Sequence, residues 1–119
     1  MFYRYHSGWE LFVEGGSGEK NMMTTLQLDG IMLRKYLEFI ETTYCYSPDV
    51  PNHYHTAVHA ADVLQTTAVL THNEAVYSKL DLLELFSTYF AAMIHDYRHP
   101  GVDSKFLIAT NDRLVGVEE

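Results

Sequence analysis

The run from Leu82 to Ile94 restricts the fold more than any other segment of this chain. Leu82, Leu83, Leu85, Phe86, Tyr89, Phe90, Met93 and Ile94 fall at helical spacing and leave almost no polar face. A helix that is apolar nearly all round has to be covered by other elements, so a central, buried helix is expected here. Ser78 with Asp81 resembles a capping box that opens it. The helix is expected to reach about Tyr97, and Pro100-Gly101 stops it. The neighbouring segments also read as helices. Asp29 suits the N-cap of a helix running to about Tyr44, with Leu33, Leu37, Ile40 and Tyr44 along one stripe. Ser47-Pro48-Asp49-Val50-Pro51 then breaks the chain. A second helix is expected from His55 to about Thr71, with Ala57, Ala61, Leu64 and Ala68 on one side. Asp103 or Ser104 can cap a short helix through Phe106, Leu107 and Ile108. No strand pattern competes and no internal repeat is visible, so the expected class is all-α.

The chain of 119 residues is long enough for one domain with a modest core. At 47% hydrophobic and 20% charged, it has the composition of an ordinary soluble protein. Met1 to Phe12 is aromatic-rich and follows no clear period. Glu14-Gly15-Gly16-Ser17-Gly18-Glu19-Lys20 reads as a flexible connector, because its glycine spacing is wrong for a phosphate-binding loop. Residues 1–25 are therefore an unassigned segment with a glycine-rich connector, and 26–119 the folded part. A net charge of −8 argues against nucleic acid as a partner, since that needs a basic patch. Cys45 is alone, which excludes an intramolecular disulfide and fits a reducing compartment; it is expected to pack against the core. No apolar run is long enough for a membrane span and no signal peptide is evident, so a cytoplasmic location is expected.

Two short stretches carry the chemistry. Tyr54-His55-Thr56-Ala57-Val58-His59-Ala60-Ala61-Asp62 holds two histidines four residues apart. If both are helical they share a face, where they could bind one metal or serve one substrate in different roles. His95-Asp96-Tyr97-Arg98-His99-Pro100-Gly101 places a histidine and a carboxylate at the end of the apolar helix. A carboxylate there is costly unless paired or metal-bound. Imidazole suits zinc, and carboxylate oxygen suits both zinc and magnesium. The combination is that of a site holding metal ions that activate water. His6, His53 and His72 have no partner pattern and read as surface histidines. Asp62 reads as a residue orienting the ligands or as a helix-surface carboxylate.

The sequences YHTAVHAADVLQTT and FAAMIHDYRHPGVDSKFLIATND together resemble the catalytic domain of class I 3',5'-cyclic nucleotide phosphodiesterases. The resemblance runs from Tyr54 to Thr110, and Leu26 to Tyr46 looks like the preceding family helix. It implies the N-terminal portion of a multi-helical HD-type phosphodiesterase domain. The implied reaction is hydrolysis of cAMP or cGMP to the 5'-monophosphate in signal transduction. His55 matches the general acid that protonates the departing O3'. His59, His95 and Asp96 match ligands of the tight metal, usually Zn2+, and Asp96 also that of a second ion, Mg2+ or Mn2+. His99 matches a position that orients Asp96 or the attacking water. Thr56 and Ser104 replace family asparagines. Arg98 stands where an acidic residue is common, so it is expected to face solvent. The family domain is longer, and the later aspartate, the glutamine that reads the purine edge and the aromatic clamp have no counterpart before Glu119. A truncated catalytic domain, inactive by itself, is therefore expected. The alternatives are another HD-type metal phosphohydrolase and a non-catalytic metal-binding remnant.

Overall fold

The computed structural model describes residues 11–12, 22–49 and 52–115. Among them the chain is helical without a strand, as the patterning implied. The glycine-rich connector and His6 lie outside the described residues. The helices are α1 (Met22–Thr25), α2 (Gly30–Thr42), α3 (Ala57–Thr71), α4 (Glu74–Tyr77), α5 (Leu82–Ile94) and α6 (Ser104–Ala109), followed by a single 3-10 turn at Arg113–Val115. The main helix pair is α3 against α5.

Local chemistry sets the helix ends. Asp29 caps α2, its Oδ1 accepting from the N–H groups of Ile31 at 2.9 Å and Met32 at 3.0 Å. The helix stops at Thr42, short of the expected Tyr44 and well before Pro48. The Thr42 and Thr43 hydroxyls donate back to the carbonyls of Glu38 at 2.9 Å and Phe39 at 2.7 Å, which satisfies the last turn from within. Helix α3 begins at Ala57 and not at His55, because Thr56 is its N-cap and accepts from His59 N–H at 3.4 Å. The capping box of α5 joins Asp81 to Glu84, with reciprocal bonds of 2.8 Å. The expected pairing of Ser78 with Asp81 is replaced because Asn73 opens the short helix α4, which the sequence reading missed, and Ser78 closes it. Asp103 supplies the cap of α6, accepting from Phe106 N–H at 2.8 Å.

The core holds Leu37, Ile40 and Tyr44, then Ala60 and Leu64 of α3, then Leu85, Tyr89, Ala92 and Met93 of α5. Phe12 closes it, edge-on to Phe86 at 5.5 Å and Tyr89 at 6.3 Å. The Tyr89 hydroxyl meets its polar need inside the core, bonded to Thr71 at 3.0 Å. Helix α5 is one-sided in its burial, contrary to expectation: Leu83 is 60% exposed and Phe86, Phe90 and Ile94 are half-buried. Only one face has α3 against it. Helix α5 ends at Ile94 and the chain turns through tight bonds, Tyr97 N–H to Ile94 and His99 N–H to Asp96. Cys45 is exposed, not packed in the core. It follows the end of α2 beside the buried Tyr44, and the larger apolar neighbour takes the inward position. No helix among the described residues is long and apolar enough to cross a membrane.

Candidate metal centre

The tight turn after α5 and the first turn of α3 meet at one place. His59 comes from α3, His95 is the C-cap of α5, and Asp96 follows it. The Asp96 Oδ2 atom lies 3.5 Å from His59 Nε2 and 3.1 Å from His95 Nε2. Two donors each bound to a tetrahedral zinc are about 3.4 Å apart, given bonds of about 2.1 Å. The spacing found here therefore fits one ion. His95 strengthens the fit. Its Nδ1 is 2.8 Å from the carbonyl of Ala92, so Nδ1 carries the proton and donates it. Its Nε2 lone pair then faces a carboxylate oxygen. Two acceptors in that relation need a cation between them, a proton or a metal, and a pinned imidazole of this kind is the usual partner of a metal.

A second grouping shares the carboxylate. Donor atoms of His55, Asp96 and His99 lie within 4.8 Å of one another. The His55 and His99 rings are stacked at 3.7 Å with 11° between their planes. His99 Nδ1 accepts from Gly101 N–H at 3.0 Å. Its ring proton is then on Nε2, which makes His99 a hydrogen-bond donor to its neighbours rather than a lone-pair ligand. His55 precedes α3, so it does not share a helical face with His59 as the spacing alone allowed. It stays beside the first trio but outside it.

The end of α2 holds the 96–98 turn. Tyr44 is buried, and its carbonyl accepts from Arg98 N–H at 2.8 Å. Burial pushes the Tyr44 phenol above its ordinary pKa, a hydrogen bond from the Asp96 backbone opposes this, and the Asp96 charge adds to the rise. Thr43 Oγ1 and the Tyr97 hydroxyl are 2.8 Å apart. Arg98, with a left-handed φ of 56°, is exposed and donates to the Tyr46 carbonyl at 3.2 Å. It points away from the carboxylate, as expected.

Asp62 is exposed one turn beyond His59 and belongs to neither grouping. It lines an open cleft of about 480 Å³ with Asn52, Tyr54, Val58 and His59. His53 and His72 are exposed, as expected. Two neighbours of the histidines escaped the sequence reading. Tyr54, 63% exposed, lies against the His59 ring at 4.4 Å. Asn52 bonds to both His55 and the backbone of His99. Its one signal in the sequence is its place just after Pro51, where asparagine often nucleates a turn.

A sequence model described as 3'5'-cyclic nucleotide phosphodiesterase matches residues 54–117, the segment that contributes every member of both groupings. The chain belongs to this family. Similar curated proteins include 3',5'-cyclic-AMP phosphodiesterase 4C of Rattus norvegicus, 38% identical over 96 residues, which are 81% of this chain and 17% of that protein. The Mus musculus protein of the same name is 40% identical over 96 residues, 81% of this chain and 13% of that protein. The probable 3',5'-cyclic-AMP phosphodiesterase pde-4 of Caenorhabditis elegans is 33% identical over 96 residues, 81% of this chain and 14% of its own length. This member of the phosphodiesterase family thus spans less than a fifth of the length of these relatives. No solved structure gave a significant match.

Proposed function

We propose that residues 26–119 form the N-terminal, metal-holding part of a catalytic domain that hydrolyses 3',5'-cyclic nucleotides to 5'-monophosphates. The observation that carries this reading is the convergence of His59, His95 and Asp96 at spacings suited to a single divalent ion. His59, His95 and Asp96 would hold Zn2+, which imidazole and carboxylate both suit. Asp96 would also hold a second ion, Mg2+ or Mn2+. When bound, such ions activate water and offset charge on phosphate oxygens. The cAMP in the relatives' names makes it the first substrate to try.

The chain's own residues take distinct parts. His55 has its Nδ1 engaged by Asn52 at 3.3 Å, which leaves Nε2 to carry a proton to the leaving O3'. His99 covers one face of the His55 ring, stacked at 3.7 Å. Asp62 keeps the edge of the cleft acidic beside His59. In the intact protein, His55→Ala is expected to cut cAMP turnover by roughly a hundredfold or more with zinc content unchanged, whereas Asp96→Ala loses both. Metal analysis with a cAMP and cGMP hydrolysis assay decides this. Full turnover in Asp96→Ala, or zinc loss in His55→Ala, is incompatible with these roles.

A further inference from the structure

Asn52 lies before the matched segment and outside both donor groupings, yet it touches each half of the site. We propose that Asn52 is a positioning residue: it locks His55 in the Nδ1–H tautomer, so that Nε2 is the nitrogen that handles the proton, and it ties that lock to the His99 turn. The part about proton transfer rests on the reaction proposed above; the tautomer does not.

The Asn52 Oδ1 atom accepts from His55 N–H at 3.0 Å and from Tyr54 N–H at 3.4 Å, and it is 3.3 Å from His55 Nδ1. The backbone N–H groups identify this atom as the carboxamide oxygen, which carries no hydrogen and so cannot donate. The His55 Nδ1 must therefore carry the hydrogen, and the transferable proton is assigned to Nε2. The other end of the amide, Nδ2, donates to the His99 carbonyl at 3.1 Å, 47 residues away in sequence. His99 in turn stacks on the His55 ring at 3.7 Å. One side chain thus fixes the imidazole edge-on through Oδ1 and holds the residue that fixes it face-on. Gly101 completes the clamp. Its φ of 81° is a conformation that L side chains rarely adopt, and a Cβ there would stand 3.3 Å from Asn52 Nδ2. The backbone closes over the amide because glycine is at that position.

The two ends of the amide can be separated by substitution. Asn52→Leu removes acceptor and donor at similar volume. Asn52→Asp keeps the acceptor and loses the donor. A helper of proton transfer also has a kinetic mark that a structural prop lacks. A cyclic nucleotide expels an alkoxide that needs the proton, while bis(p-nitrophenyl) phosphate expels a phenolate that does not.

In the intact protein, Asn52→Leu is expected to lower kcat on the cyclic nucleotide roughly tenfold to a hundredfold with little change in KM. Its rate on the aryl ester should stay within about threefold of wild type, well short of the factors proton transfer supplies, and its zinc content should be unchanged. Asn52→Asp is expected to recover most of the lost kcat. Equal losses on both esters, or no loss on either, overturn the positioning role. NMR of the histidine ring nitrogens gives a readout free of activity. Neutral His55 should carry its proton on Nδ1 in wild type and Asn52→Asp, and shift toward Nε2 in Asn52→Leu. A wild-type His55 protonated on Nε2 overturns the lock whatever the enzyme does. The expected tautomer in a wild-type protein that cleaves neither ester would instead overturn the proposed function and leave the lock standing.

Discussion

Asp96 is half-buried, receives two imidazole edges within 3.5 Å and has Tyr44 packed behind it. Its carboxylate is where histidines from two segments meet, and it has little freedom to leave. The residue behind it leads to a prediction about alkaline stability. Burial raises the pKa of both Tyr44 and Tyr89, and for Tyr89 the bond to Thr71 opposes the rise. A phenol whose folded pKa is raised contributes its stability fully below the unfolded value of about 10. That contribution is lost as pH rises through the folded value, because the unfolded chain gives up the proton first. The protein is thus expected to lose helix steeply only above about pH 10, together with tyrosinate absorbance near the ultraviolet edge. Tyr44→Phe should flatten that loss. An identical alkaline profile in Tyr44→Phe would mean that this phenol does not govern it.

Helix capping differs in its consequences from one element to the next. Asp81 and Thr56 both cap helix N-termini, of α5 and α3 respectively. Replacing either by alanine should cost about 1 kcal/mol. The consequences for metal should diverge. Asp81 is a whole helix away from the candidate centre, whereas Thr56 holds the His59 N–H at 3.4 Å and separates His55 from the helix. Asp81→Ala is expected to lower the denaturation midpoint with zinc affinity unchanged. Thr56→Ala should lower both. Denaturant titration paired with zinc competition against a chelator checks this; equal zinc affinity in the two variants would mean that the cap of α3 does not set the position of His59.

At the scale of the whole molecule, the described residues leave much apolar surface in water. Ile31, Met32 and Phe39 on α2, Val69 and Leu70 on α3, and Phe106 and Ile108 on α6 are all more than half exposed. Soluble monomers rarely keep apolar patches beyond a few hundred Å². The 119 residues, expressed by themselves, are therefore expected to self-associate and to show no cAMP or cGMP hydrolysis with zinc and magnesium. Light scattering and a turnover assay test this together. A monodisperse, active preparation would show that the described helices suffice.

The sequence by itself determined the helical class, the Asp29 cap, the apolar character of the helix at 82–94 and the identity of the clustered residues. Those features are local: a cap needs its own next turn, and an apolar period is read within one segment. The family followed from the same residues, because the histidines and carboxylate occur in two motifs of fixed spacing. The Asp81–Glu84 box and the Thr56 cap that leaves His55 outside α3 are equally local, each made within the first turn of its helix. Tertiary structure decided the rest. Cys45 came to the surface because Tyr44 filled the interior. Asn52 could not be read beforehand, since its bond partner at His99 lies 47 residues away and no local pattern encodes such a distance. That His59, His95 and Asp96 meet depends on α3 packing against α5, a contact built by buried side chains far from the site.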